Sequence, residues 1–153
     1  MADDELNWHA TSVCIHGAAI VIRGEAGAGK SSLAMRLMED DQVSLVSDDR
    51  TILRRDGDKI IASVLPGFEG QIEARGIGIV RGYPVASSVP VGCIVDLHSR
   101  GVCLNRLPDA QTEDVLGVPV RRFDFYADDV FLASRARVAE RVMTRGLSLK
   151  KGG

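Results

Sequence analysis

Residues 24 to 31 have the types and spacing needed to bind phosphate groups. They read Gly-Glu-Ala-Gly-Ala-Gly-Lys-Ser, the complete G-x-x-x-x-G-K-S pattern of a phosphate-binding loop. Glycines let the backbone wrap around an anion, so that successive N–H groups point at its oxygens. We expect Lys30 to reach the β- and γ-phosphates of a nucleotide and Ser31 to offer a hydroxyl to Mg²⁺. The predicted nucleotide-binding residues are Gly24, Glu25, Ala26, Gly27, Ala28, Gly29, Lys30, Ser31 and Ser32.

The elements around this loop are the ones that the motif requires. Residues 18–22 are apolar and resemble a strand, and residues 31–38 carry leucine and methionine at helical spacing. Strand, loop and helix in this order predict an α/β phosphate-loop fold with a mixed sheet flanked by helices. Further strands are predicted over 11–15, 43–47, 91–97 and 118–126, a hairpin over 51–64, an irregular glycine-rich loop over 66–82, and a helix over 130–144.

Length and charge limit the class of protein. The 153 residues suit a single domain, which we place at 1–146, followed by a flexible tail at 147–153. A formal net charge of −2 argues against a nucleic-acid binder. The chain has no apolar run long enough to cross a bilayer, and its acidic start is unlike a signal peptide, so we expect a cytoplasmic protein without membrane contact. The three cysteines, Cys14, Cys93 and Cys103, are predicted to be buried free thiols.

Two strand ends can supply the carboxylate that accompanies a phosphate loop. Asp48 and Asp49 follow the strand at 43–47, and Asp96 ends the strand at 91–97. In open α/β sheets both positions lie beside the phosphates, so pattern alone does not separate them, although the paired carboxylates favour the first. Adjacent residues of a strand point to opposite faces, so only one aspartate of the pair should face the site. A solvated turn is the plain alternative.

Four blocks of residues follow one another in a specific order. They are His9, the phosphate loop, Asp48-Asp49-Arg50, and the stretch Glu-Ala-Arg-Gly-Ile-Gly-Ile at 73–79. In this order they resemble the catalytic domain of the bacterial HPr kinase/phosphorylase family, and the last block is similar to that family's signature. A late region around Arg106 is also similar. The resemblance covers about residues 9 to 122 and implies a P-loop kinase-like fold.

The resemblance implies an ATP- and Mg²⁺-dependent kinase that phosphorylates a serine of an HPr-like phosphocarrier of the phosphotransferase system. Phosphorolysis to pyrophosphate is a further activity of the family, and pyrophosphate is the alternative donor. By motif match, Asp48 would accept the serine proton, with His9 close to it and Lys30 on the phosphates. Glu73 would join Ser31 as a ligand of Mg²⁺. The candidates for contact with phosphate or substrate are Asp49, Arg75 and Arg106.

The same resemblance implies a homo-oligomer, a hexamer by family analogy. Residues 125–129 read Phe-Tyr-Ala-Asp-Asp, where the family often has a basic run, so the response to effectors and phosphorolysis are open. Two other functions remain from the residues alone: a small-molecule kinase with the same loop, and a non-catalytic module that senses nucleotides. A guanine-specific switch would need an N-K-x-D motif, which the sequence lacks.

Overall fold

The structure is a computed structural model and describes residues 4–144 and 146–150. Its elements, in chain order, are β1 (Glu5–Trp8), β2 (Ala10–Ile15), β3 (Ala18–Arg23), α1 (Lys30–Leu37), β4 (Val43–Ser47), β5 (Thr51–Asp56), β6 (Lys59–Val64), β7 (Gln71–Ala74), β8 (Gly78–Arg81), β9 (Val89–His98), β10 (Gln111–Val115), β11 (Val118–Tyr126) and α2 (Leu132–Thr144).

Nine of the strands form one mixed sheet, in the order β1-β5-β6-β9-β3-β2-β4, with β11 on β9 and β10 on β11. Strands β3, β9 and β11 run parallel to one another. Their carboxyl ends therefore meet at one edge of the sheet, where the phosphate loop begins. The predicted α/β fold with a mixed sheet is confirmed.

The core has two parts, one on each face of β3. Ile20 and Ile22 join an apolar cluster to which α1 and α2 both contribute buried side chains. Val21 points the other way and joins a second cluster with Leu53 of β5 and Ile60 of β6. Alternation along a strand explains this division. Both helices thus pack on one face, and the strands β5 and β6 cover the other.

The segment at 66–82 differs from its prediction. It contains a separate antiparallel hairpin, β7 with β8, rather than an irregular loop. Ile72 is 1% exposed and joins the cluster beneath the helices, so the hairpin is anchored by a core side chain. The prediction was wrong because glycine is uncommon in strands, so a segment with many glycines was predicted as a loop although it contains two short strands. The predicted hairpin at 51–64 is confirmed as β5 and β6.

Two edge strands were not predicted at all. These are β1 and β10, whose residues are mostly exposed or half-buried. In β1 only Leu6 and Trp8 pack on the second cluster, and four residues are too few to identify a strand by alternation. In β10 the first four residues are all polar, so no alternation marks it. They matter for the site because β1 leads directly to His9 and β10 carries Glu113.

The cysteines and the tail complete the comparison. Cys93 is buried in β9, and burial raises its pKa to about 12. Cys14 is half-buried and Cys103 is exposed, so the prediction of three buried thiols was wrong for Cys103, which lies in the loop after β9.

Residues 147–150 form neither helix nor strand, and 151–153 lie outside the described residues. Within the described part of the chain, neither helix is long and apolar enough to span a membrane.

Candidate active site

The phosphate loop occupies residues 24–29, between the end of β3 and the start of α1. Gly29 has a φ of 102°, a left-handed conformation that favours glycine. A Cβ on Gly24 would lie 3.0 Å from Cβ of Ala28 and 3.3 Å from Cβ of Leu97, so the loop packs too closely there for a side chain. The N–H groups at the start of α1 face the loop, which is the arrangement that binds phosphate.

Lys30 lies within the curve of this loop. Its ammonium donates hydrogen bonds to the carbonyl oxygens of Gly24 at 2.8 Å and Glu25 at 3.0 Å. The side chain is 7% exposed, so these bonds satisfy a largely buried cation. The positive charge is therefore held where the loop would surround a phosphate group.

Asp48 ties three elements together. Its Oδ1 accepts hydrogen bonds from the hydroxyls of Ser31 in α1 at 2.6 Å and Thr11 in β2 at 2.9 Å. Its Oδ2 accepts the backbone N–H of Glu73 in β7 at 2.9 Å. Both oxygens of this carboxylate are thus engaged, and it links the phosphate loop to the β7–β8 hairpin.

Asp49 has different surroundings. Its Oδ1 lies 2.6 Å from Nε2 of His9, and the side chains of Asp49 and His9 are 64% and 47% exposed. The motif match placed His9 beside Asp48, but its direct partner in the structure is Asp49. The reason is local: Asp49 has a φ of 65°, so the chain turns after β4 and separates the two carboxylates.

A cavity of about 320 Å³ lies in front of the loop. Asp49 lines it and Asp48 is not among the described residues that do. Besides the loop and the start of α1, the lining residues come from the segment before β2, from Thr11 in β2, from the turn after β4, from β7 and from the turn after β7. The predicted site residues around it are His9, Ala26, Gly27, Gly29, Lys30, Ser31, Ser32, Asp49, Glu73 and Arg75.

Arg75 and Arg106, predicted together, lie in different places. A nitrogen of the Arg75 guanidinium is 3.5 Å from the position of a Cβ built on Gly27, so this arginine reaches over the phosphate loop. Arg106 lines another cavity, of about 850 Å³, beside β11. Within one chain the structure therefore brings Arg75, but not Arg106, to the candidate site.

Asp96, the alternative carboxylate, is already paired. Both its oxygens accept hydrogen bonds from the Arg23 guanidinium, at 2.7 and 2.8 Å. Arg23 also donates two hydrogen bonds to Glu113, at 2.7 and 2.8 Å, and stacks on the ring of Trp8. Asp96 is engaged in this network and is not among the described residues that line the cavity, whereas Asp49 is.

The Arg23 network gives a prediction on pH. Hydrogen bonds from Arg23 hold the pKa of Glu113 below its ordinary 4.5. A lowered folded-state pKa stabilises the fold above pH 4.5, and this stabilisation is lost as the pH falls through the folded-state value. We expect Glu113→Gln to lower the free energy of unfolding by roughly 1 kcal/mol at pH 7.

Urea unfolding at pH 7 and at pH 3 measures this effect. The difference between Glu113→Gln and the wild type should shrink at pH 3, because this lies below the ordinary pKa of 4.5, where the unfolded chain takes up a proton that the folded carboxylate resists. Asp109→Asn is the matched control, since the Asp109 side chain makes no ion pair or hydrogen bond with the described residues. An equal loss at both pH values would contradict an electrostatic origin.

Sequence reasoning gave no role to Thr11, Arg23 or Glu113. Thr11 is a β-branched residue within an apolar strand, where threonine is an ordinary strand former. Glu113 belongs to the late region that resembles the family, but its partner Arg23 lies 90 residues away, so the sequence does not reveal the pair. The two remaining histidines are each close to a carboxylate: His16 lies 3.5 Å from Glu140 and His98 lies 2.8 Å from Asp124.

These contacts define an α/β phosphate-loop protein with carboxylates and an arginine around the cavity in front of the loop. More specifically, the chain belongs to the HPr Serine kinase C-terminal domain family, whose model matches residues 2–124.

Named proteins with similar sequences agree with this assignment. An HPr kinase/phosphorylase of Clostridium tetani is 32% identical over 130 residues, covering 77% of this chain and 41% of that protein. An HPr kinase/phosphorylase of Mycoplasma mycoides subsp. mycoides is 38% identical over 95 residues, covering 58% of this chain and 30% of that protein. The chain thus spans less than half the length of these relatives.

A solved structure supports the fold. The Hpr(Ser) kinase/phosphatase from Coxiella burnetii matches with a TM-score of 0.79 and 27% sequence identity. The match covers 89% of this chain and 94% of that one. The order and packing of the elements are therefore those of a known kinase of this family.

Proposed function

We propose that the protein transfers the γ-phosphoryl group of ATP to a serine of an HPr-like phosphocarrier protein of the phosphotransferase system. Membership of the family supports the reaction class. The observation that carries the proposal is the His9–Asp49 pair, joined at 2.6 Å and lining the same cavity as Lys30. A carboxylate and a phosphate loop on one cavity suit a hydroxyl acceptor and a nucleotide donor.

Asp49, rather than Asp48, is the base in this proposal. Asp48 already accepts three hydrogen bonds, whereas Oδ2 of Asp49 has no partner among the described residues. An incoming serine hydroxyl can donate to that free oxygen. As the serine oxygen bonds to the γ-phosphorus and the bond to the β-phosphate oxygen breaks, the serine proton passes to Asp49. His9 donates to Oδ1 and orients the carboxylate.

The phosphate groups are positioned by the loop. Its N–H groups and Lys30 would hold the β- and γ-phosphates, and Arg75 reaches over the loop at Gly27. Phosphoryl transfer needs charge neutralisation and alignment more than covalent chemistry. Lys30 and Arg75 supply the positive charge against which negative charge develops in the transition state.

The oxygen groups beside the loop suit Mg²⁺. The Ser31 hydroxyl donates a hydrogen bond to the Asp48 carboxylate at 2.6 Å. Glu73, which lies in β7, lines the cavity in front of the loop together with Ser31. Hydroxyl and carboxylate oxygens are the ligands that this hard cation prefers. Ser31 and Glu73 would hold the ion, and Asp48 would orient the Ser31 hydroxyl. When bound, Mg²⁺ would supply positive charge that offsets the charge of the phosphate groups.

Three finer points belong to the same proposal. In the reverse direction, protonated Asp49 would return its proton to the serine oxygen while phosphate attacks the phosphoserine, giving pyrophosphate.

The protein is proposed to be cytoplasmic, as a partner of a phosphocarrier must be. It is also proposed to be a homo-oligomer, a hexamer by family analogy, in which Arg106 of a neighbouring copy could complete the site.

Intact-mass analysis tests the proposal. A purified HPr-type carrier is incubated with the protein, ATP and Mg²⁺, beside a carrier whose target serine is alanine. We expect a single added phosphate on the serine carrier and none on the alanine carrier. If ATP is bound but no carrier gains mass, the small-molecule kinase and the nucleotide-sensing module become the better explanations.

A further inference from the structure

Thr11 lies between the two aspartates of the site. It is fully buried in β2, and its hydroxyl makes two hydrogen bonds. The hydroxyl donates to Oδ1 of Asp48 at 2.9 Å and accepts the backbone N–H of Asp49 at 3.2 Å. Because a hydroxyl has one proton, these roles are fixed. One side chain thus joins the carboxylate of Asp48 to the backbone of Asp49.

The backbone at Asp49 needs such support. Its φ of 65° is left-handed, which is costly for a residue with a side chain. The N–H of Arg50 donates to the carbonyl oxygen of Asp48 at 2.7 Å, which closes a three-residue turn around Asp49. A turn with this φ and this bond is of the rare, strained γ type. Strained residues persist where neighbouring contacts hold them, and they are frequent at functional sites.

Both groups that hold Asp49 come from one short segment. His9 contacts its carboxylate and Thr11 contacts its amide, two residues further along the chain. The residue between them, Ala10, is fully buried and begins β2, so the segment is anchored in the core. The position of Asp49 is therefore set by residues 9–11 before any ligand binds.

We propose that Thr11 is a positioning residue for phosphoryl transfer. Its hydroxyl holds the strained turn that points Asp49 into the cavity, and it orients Asp48 toward Ser31. The catalytic part of this inference rests on the proposed function, whereas the structural part does not. A residue that is not itself the base would in this way set the alignment of the base.

The variant Thr11→Val tests the hydroxyl while keeping the β-branched shape. It removes the donor to Asp48 and the acceptor for the Asp49 N–H. We expect kcat to fall by about 10- to 100-fold, because small misplacements of a catalytic group are costly. The KM for ATP should stay within about threefold, since the Thr11 hydroxyl bonds only to Asp48 and Asp49 and to none of the residues 24–30. Thr11→Ser restores the hydroxyl and should recover most of kcat.

Ser12→Ala is the matched control. Ser12 is the next residue of β2, equally buried, and its hydroxyl bonds to Oγ1 of Thr51 at 2.8 Å. Thr51 donates its own proton to the carbonyl oxygen of Ala10, so it keeps that bond in the variant. The control therefore removes one buried hydroxyl from the same strand without touching the aspartates. We expect its kcat to equal that of the wild type.

Amide hydrogen exchange at Asp49, followed by NMR without ligand, gives a readout separate from activity. In the wild type the N–H should be protected by the Thr11 hydroxyl, and in Thr11→Val it should exchange at least about tenfold faster. Ser12→Ala should leave it unchanged. If Thr11→Val does not fold, Thr11→Ala removes the same hydroxyl without adding an apolar methyl group.

The outcomes separate this inference from the proposed function. A Thr11→Val protein with wild-type kcat, or with unchanged exchange at Asp49, overturns the positioning role. If the wild type phosphorylates no carrier, the proposed function fails, and the exchange measurement alone then decides whether Thr11 holds the turn. A loss of kcat in Ser12→Ala equal to that in Thr11→Val would point to general destabilisation and also overturn the inference.

Discussion

Replacing Asp49 with asparagine should lower the kcat for carrier phosphorylation by about 10²- to 10⁴-fold, the range for loss of a general base. The amide has nearly the same shape, but it cannot accept the serine proton. His9 contacts the same side chain at 2.6 Å, so the substitution also removes the charge that His9 orients. The KM for ATP should change little, because the loop and Lys30 are not involved. Steady-state kinetics with a purified carrier measure both constants.

Asp48→Asn is the matched control for that experiment. Asp48 bonds to Ser31 and to the N–H of Glu73, so its loss should act through the phosphate loop and the hairpin. We expect a rise in the Mg²⁺ concentration needed for half-maximal rate together with a lower kcat. The motif match had assigned the base to Asp48. If Asp49→Asn stays active while Asp48→Asn loses transfer with unchanged ATP and Mg²⁺ dependence, the base is Asp48 after all.

Lys30→Met should abolish detectable transfer, a fall of about 10³-fold or more, because it removes a charge aimed at the transferred phosphate. Methionine keeps the apolar part of the side chain but loses the ammonium that bonds to Gly24 and Glu25. Affinity for ATP should also fall, by at least about tenfold, since one strong charge-assisted contact is lost. Calorimetry with a non-hydrolysable ATP analogue and the transfer assay measure the two effects.

Lys59→Met serves as the control for Lys30→Met. Lys59 is exposed in the β5–β6 hairpin. Its replacement by methionine removes the same charge from the protein without altering the loop. It should bind the analogue and transfer phosphate like the wild type. Normal binding of the analogue to Lys30→Met would show that the loop is not the nucleotide site, and would remove the basis of the proposed function.

Local patterns predicted the elements next to the phosphate loop. The strand at 18–22 and the helix at 31–38 appear as β3 and α1, within one residue at each end. The hairpin at 51–64 is also present, because an Asp-Gly turn and its flanking strands are encoded within a few residues. The β7–β8 hairpin was missed, since Ile72 is anchored by the core rather than by a neighbour in sequence.

The sequence by itself determined that this chain is an α/β phosphate-loop protein and which family it resembles, because glycines, Lys30 and Ser31 at fixed spacing encode a local structure. Only the tertiary structure decided which aspartate faces the cavity. That choice depends on the turn at Asp49 and on contacts with His9 and Thr11, which lie 40 and 38 residues away. Spacing along a chain carries no signal for such contacts, since they form only when β2 and β4 pair in the folded sheet.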